Sequence, residues 1–165
     1  MLKSKHLIGL EHFPTSDLNK IIDTSFKFKE ILESPERKAI LLKGKTIVNM
    51  FFENSTRTKI SFTLAEKRLG ADSINFSSST SSVKKGETLK DTIQNIDAMK
   101  IDGAVIRHGH PGSALKLTEY IDGAVINAGD GSHEHPTQAI LDMVTLKEKF
   151  GKIKNLKVGI IGEIL

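Results

Sequence analysis

Ser55, Thr56, Arg57 and Thr58 put three hydroxyls and a guanidinium into four consecutive positions, where an apolar extended run gives way to a helical pattern. The first turn of a helix leaves backbone N–H groups without intrahelical partners and carries the positive end of the helix dipole. Hydroxyls and an arginine fork gathered there suit a dianionic phosphate, which takes charge-assisted bonds from all of them. A plainer role is open to the same residues: Ser55 or Thr56 caps the helix and Arg57 is a surface charge.

Two further segments carry groups of the same kind. Arg107 closes the apolar run Gly103-Ala104-Val105-Ile106. It is either a surface residue at the end of a strand or a donor to an anion or a polarised carbonyl. His135 directly precedes Pro136, so its ring sits at the start of a helix, near the positive dipole end. That position lowers a histidine pKa and favours neutral imidazole, a hydrogen-bond donor to oxygen; the alternative is a histidine satisfied by local backbone. The pairs His108/His110 and His133/His135 share a His-x-His spacing. Without a carboxylate motif beside them they are weak evidence for a metal, and none is expected. Residues 79–87 are polar, contain Gly86 and lack periodicity. They form either a solvent loop or a lid that brings Lys85 and a serine to a phosphate.

Periodicity defines the elements that must position these groups. After Thr15 and Ser16, one of which is the expected cap, Leu18, Ile21, Ile22, Phe26, Ile31 and Leu32 recur at helical spacing. Strands are expected at 45–52, 73–76, 103–107 and 123–127, and helices at 58–69, 88–99, 113–120 and 136–150. Gly70 closes one helix and Pro136 opens another. Residues 127–131, Asn-Ala-Gly-Asp-Gly, read as a tight turn.

Strands alternating with helices predict an α/β fold, a parallel sheet flanked by helices. Ligands of such sheets bind beyond the carboxyl ends of the strands. Ser55 to Thr58, Arg107 and the segment holding His135 all follow expected strands, and that agreement favours the phosphate cradle over the helix cap. Residues 157–162 read as one more strand, whose Gly-x-x-Gly is weak evidence for a dinucleotide site, three residues before the sequence stops. The expected organisation is one domain over 1–150 and the first strand of a truncated second α/β domain over 151–165.

The 165 residues include no cysteine, which excludes disulfides, thiolate metal sites and a cysteine nucleophile. The net charge of +4 is spread along the chain. No basic run is interleaved with aromatics, so nucleic acid is not an expected partner, whereas a mild positive excess steers small anions. No apolar run is long enough to span a membrane and the first residues lack a signal-peptide core, so no membrane is expected and a cytoplasmic location is.

Four ordered blocks resemble the catalytic chain of the aspartate carbamoyltransferase family. They are Phe52-Glu53-Asn54-Ser55-Thr56-Arg57-Thr58, residues 79–92, Val105-Ile106-Arg107-His108, and residues 127–138 through His135-Pro136-Thr137-Gln138. The resemblance runs from about Lys45 to Leu165. The sister ornithine carbamoyltransferases share the Ser-Thr-Arg-Thr block. They typically carry Cys where this chain has Thr137, and lack the Lys85-Gly86-Glu87 pattern.

The resemblance implies a carbamoyl phosphate-binding domain and transfer of the carbamoyl group to the amino group of L-aspartate, giving N-carbamoyl-L-aspartate and phosphate in pyrimidine biosynthesis. By position it implies that Ser55, Thr56, Arg57 and Thr58 hold the phosphate. Arg107, His135 and Thr58 would donate to the carbamoyl oxygen, and Gln138 would bind the carbamoyl amino group. It further implies that Ser81 and Lys85 reach a neighbouring subunit's site, hence a homotrimer, with regulatory chains left open, and that no cofactor or metal takes part. Lys59 stands where that family usually carries Arg. Its aspartate-binding residues would lie past Leu165, so the chain by itself is expected to bind carbamoyl phosphate weakly and not to turn over. An ornithine-specific enzyme and a non-catalytic phosphate-binding module are the competing readings.

Overall fold

The computed structural model describes residues 2–77 and 89–162. The elements in chain order are α1 (Thr15–Glu33), β1 (Thr46–Phe51), α2 (Thr56–Leu69), β2 (Asp72–Ser77), α3 (Leu89–Asp97), β3 (Gly103–His108), α4 (Ser113–Leu117), β4 (Ala124–Asp130) and α5 (Pro136–Phe150). The four strands make one parallel sheet in the order β2-β1-β3-β4. The chain leaves β1 toward β2 and then crosses to the other side of β1 for β3. The switch point of the sheet therefore lies between β1 and β3, where a crevice opens at the strands' carboxyl ends.

Alternation along the strands sorts residues to two faces. Val48 and Met50 of β1 join Ala104 and Ile106 of β3 and Val125 of β4 in the larger core, closed by Ile93, Ala114 and Leu117 from the helices. Phe51, Val105 and Ala128 form a smaller cluster on the opposite face. Fully buried side chains such as Met50 and Ile106 each contribute ~2 kcal/mol by leaving water. The expected Gly70 terminator is present: it adopts φ +83, and the Ala71 N–H reaches back to the Glu66 carbonyl at 3.0 Å, a bond pattern that a side chain at Gly70 would strain. Pro136 opens α5 and Gly151 closes it at φ +71.

Several expectations needed correction. β4 continues to Asp130, so most of residues 127–131 is strand and not a turn. The polar residues there are buried and bond one another, which removes the reason to leave the sheet. Pro14 occupies the N-cap of α1 with no side-chain cap bond. Thr15 and Ser16 already lie inside the helix, and Asp17 spends its carboxylate on the Lys3 and Ser4 N–H groups at 2.8 Å each. Residues 157–162 form no ladder, and Ile160 and Ile161 stand exposed; an extended segment becomes a strand only when a neighbour takes its backbone hydrogen bonds.

An unexpected element is the N-terminal segment. Leu7 bridges Ile126 of β4 in parallel fashion, with Leu7 N–H to Val125 O at 2.9 Å and Asn127 N–H to Leu7 O at 2.8 Å. The open edge of β4 is thereby covered.

Candidate active site

The turn from β1 into α2 presents the hydroxyl and guanidinium cluster at the carboxyl edge of the sheet. Ser55 is the N-cap residue in extended conformation, and its side chain makes no capping bond. Thr56 and Arg57 are exposed, and Thr58 is half-buried. The simple capping role is therefore not the one the structure displays. The first N–H groups of α2 are left without a bond from the Ser55 side chain.

Arg107 ends β3 beside this turn, with the Phe52 N–H bonded to its carbonyl at 2.9 Å. Its Nη1 donates to Ala128 O at 3.0 Å. Its Nε lies 3.3 Å from Glu53 Oε2, an ion pair without hydrogen-bond alignment. The guanidinium is thus aimed by one carboxylate from the β1–α2 turn and one carbonyl of β4. Its Nη2 edge has no partner among the described residues.

His135 is the N-cap residue of α5 and makes no capping bond. Burial lowers its pKa, and the nearby Arg107 charge lowers it further, against a smaller opposing pull from Asp142. A lowered pKa agrees with the neutral ring expected at this position, with burial and Arg107 as its physical causes. The Thr137 hydroxyl lies 3.3 Å from Nδ1.

Gly129 brings Arg107 and His135 together. Its φ is +117, and a Cβ there would lie 2.7 Å from Arg107 Nη1 and 3.4 Å from His135 Cδ2. A side chain at this position would push the guanidinium off Ala128 O. Between α2 and α5 a cleft of about 250 Å³ is lined by Thr58, His135, Thr137 and Gln138. Gln138 Nε2 donates to Asp142 Oδ1 at 3.1 Å, which turns the amide oxygen into its available group. An apolar groove of about 300 Å³ between α1 and α2, lined by Phe28, Leu64 and Leu69 among others, contains none of these residues.

Thr58, His135 and Gln138 therefore line one cleft, and Arg107 approaches His135 across Gly129. Ser55, Thr56 and Arg57 precede Thr58 at the start of α2 and are not among the residues lining that cleft. Ser81 and Lys85 lie outside the described residues. His108 is engaged locally, its Nδ1 accepting from the His110 N–H at 3.0 Å, and His133 faces Asp130 at 3.2 Å. Among the described residues no group of three or more His, Cys, Asp or Glu is placed to hold a metal.

Sequence reasoning passed over Glu53, Asn127, Gly129 and Asp130. Glu53 stands two residues before Ser55, so a carboxylate so close to an anion site was a usable signal. Gly129 was visible only as a turn former.

Comparison with known proteins follows the same outline. The family described as aspartate/ornithine carbamoyltransferase, carbamoyl-P binding domain, matches residues 5–148. The aspartate carbamoyltransferase catalytic subunit of Christiangramia forsetii is 52% identical over 164 residues, 99% of this chain and 53% of the relative. That of Desulfotalea psychrophila is 54% identical over 160 residues, 97% of this chain and 50% of the relative. The Trypanosoma cruzi aspartate transcarbamoylase in complex with carbamoyl phosphate and aspartate superposes with a TM-score of 0.84 at 35% identity, covering 92% of this chain and 47% of that one. The M. jannaschii catalytic subunit does so with a TM-score of 0.81 at 41% identity, over 90% and 48% of the two chains. The chain spans about half the length of the curated relatives it matches.

Proposed function

The chain belongs to the aspartate/ornithine carbamoyltransferase family, and we propose that it supplies the carbamoyl phosphate-binding half of an aspartate carbamoyltransferase. One observation supports this reading: Thr58, which follows β1, and His135 and Gln138, which follow β4, line a single cleft between α2 and α5, and Arg107 of β3 approaches His135 across Gly129. The solved Trypanosoma cruzi relative named for its carbamoyl phosphate and aspartate complex shares this fold, which supports the choice of substrates.

In this reading the phosphate dianion rests on the α2 N–H groups, the hydroxyls of Ser55, Thr56 and Thr58, and the Arg57 fork. The carbamoyl oxygen points at Arg107, Thr58 and His135. With Nδ1 accepting from the Thr137 hydroxyl, the ring proton of neutral His135 sits on Nε2 and is donated toward that oxygen. The Gln138 amide oxygen, freed by the bond of its NH2 to Asp142, accepts from the carbamoyl NH2. The amine of aspartate forms the new C–N bond, the C–O bond to phosphate breaks, and the leaving phosphate takes up the amine proton.

As the carbonyl becomes tetrahedral its oxygen gains negative charge, and each preorganised donor is worth ~3 kcal/mol at that point. Orientation of the two substrates accounts for the rest. The aspartate side of the site belongs to the half of the relatives' length that this chain does not span. We place the carbamoyl phosphate domain in residues 1–150 and assign 151–165 to the lead into that second half. The active assembly is a cytoplasmic homotrimer in which Ser81 and Lys85 complete a neighbour's site. No helix among the described residues is long and apolar enough to cross a membrane.

Titration calorimetry with carbamoyl phosphate tests the reading. Arg57→Ala should weaken binding by on the order of 100-fold, the worth of a bidentate charge-assisted contact, without changing the unfolding midpoint. Near-unchanged affinity in that variant would remove the assignment of the cradle.

A further inference from the structure

We propose that Asn127 and Asp130, both fully buried at the end of β4, are positioning residues that hold Arg107 and His135 in register with each other. The proposal deepens the functional reading above, on which only its ligand-binding arm rests.

Each side chain is committed to the backbone on either side of the site. Asn127 Oδ1 accepts the Gly129 N–H at 2.9 Å, while Nδ2 donates to Ile8 O at 2.8 Å and to Asp130 Oδ1 at 3.1 Å. The first of these bonds fixes the left-handed conformation of Gly129, the surface against which Arg107 and His135 both rest. Ala128, held between Asn127 and Gly129, offers its carbonyl to Arg107 Nη1.

Asp130 works on the other donor. Its Oδ1 accepts the Glu134 N–H at 3.0 Å, one residue before His135, and its Oδ2 accepts the Gly112 N–H at 2.8 Å from the loop after β3. Burial alone would raise the pKa of this carboxyl. The bonds from Asn127, Gly112, His133 and Glu134 outweigh burial and lower it, so the group is a carboxylate that needs its donors. Arg107 is thus set through Asn127 and His135 through Asp130. The Asn127–Asp130 bond joins the two settings into one.

A buried polar pair that merely holds a turn would have the same hydrogen bonds, so the test reads the position of His135 directly. Asp130→Asn is compared with Asp17→Asn, which disturbs another buried carboxylate that also accepts two backbone N–H groups. The titration midpoint of His135 is followed by NMR. Removing a negative charge near a histidine lowers its pKa, so a rise reports a displaced ring, one that has left its burial, moved away from Arg107 or moved toward Asp142, the remaining facing group being Thr137.

The expected result for Asp130→Asn is a rise of about half a unit or more, together with roughly tenfold weaker carbamoyl phosphate binding. Asp17→Asn should change neither. An unmoved or lowered midpoint in folded Asp130→Asn overturns the proposal. If the unsubstituted chain does not bind carbamoyl phosphate, the functional reading fails while the titration still decides the positioning role. Should Asp130→Asn not fold, amide exchange in the unsubstituted chain decides. Protection at Gly129 and Glu134 supports the clasp, and exchange at the rate of an open loop overturns it.

Discussion

Two asparagine–acid pairs lie buried against the same sheet, and the pKa values of their acids move in opposite directions. Asp130 faces donors from Asn127, Gly112, Glu134 and His133. Glu66 of α2 receives only Asn49 Nδ2, at 2.8 Å, and the Ser73 hydroxyl, both on Oε2. Its Oε1 and Asn49 Oδ1 are buried without a partner. Burial pushes the Glu66 pKa up and the two hydrogen bonds only partly oppose it. The number of N–H and O–H groups facing a buried acid, more than the depth of its burial, decides which way its pKa moves.

The difference also follows function. The anionic member ties down the loop of His135, where several chain segments must be registered. The other member pins the C-terminal end of α2 to β1 and β2, well along the helix from the Ser55 turn.

Replacing Asp130 by Ala tests the contrast most severely. It strands the Gly112 and Glu134 N–H groups, leaves Asn127 Nδ2 with Ile8 O but without Asp130, and should cost about 3 kcal/mol of unfolding free energy in a denaturant titration. A loss under 1 kcal/mol would mean that the loop repairs itself and that the two pairs are equivalent.

The pH dependence of stability should separate the pairs next, by sign. Asp130 has a depressed pKa, so its contribution is present above the unfolded aspartate value and disappears as pH falls through the folded one. Glu66 has a raised pKa, so its contribution is complete below the unfolded glutamate value and disappears as pH rises through the folded one. Subtracting the profile of Glu66→Gln from that of the unsubstituted chain isolates this second limb from the histidines. His135, His108 and His6 all have lowered pKa values and act in the other direction. A difference that grows with acid instead of with rising pH would reverse the assignment.

The smallest effect is expected for Glu66→Gln near neutral pH. The amide keeps an acceptor for Asn49 Nδ2 and brings no charge that burial penalises. Stability should change by under ~1 kcal/mol, with any change upward. A loss above 2 kcal/mol would show that the charged form is the one α2 requires.

Local signals announced much of this architecture. Pro136 and Gly151 bound α5, Gly70 ends α2, and the apolar runs of β1 and β3 appear within a residue or two of where they were expected. That Thr58, His135 and Gln138 would come near one another was legible because they follow β1 and β4 of a parallel sheet, and such topology sends strand ends to one edge. What stayed hidden depends on contacts distant in sequence. Asn127 and Asp130 read as turn residues because their composition is that of a turn, and only Ile8, Gly112 and Glu134 make them strand and clasp. Residues 157–162 have the composition of a strand but no neighbour in the described structure. Glu53 gave no periodic signal, since its role is to meet an arginine from another strand.

The attachment of Leu7 and Ile8 to β4 has a kinetic side. His6 Nδ1 accepts the Val125 N–H and Asn127 Nδ2 reaches Ile8 O, each across 119 residues of chain. Contacts of such long sequence separation are closed late, after the local helices and adjacent strands have formed. The segment that emerges first in synthesis therefore docks last, and with it the final bond on Asn127. Refolding followed at the His135 ring should lag behind the helical signal, and excess of a free peptide spanning residues 2–13 should shorten that lag in a chain lacking them.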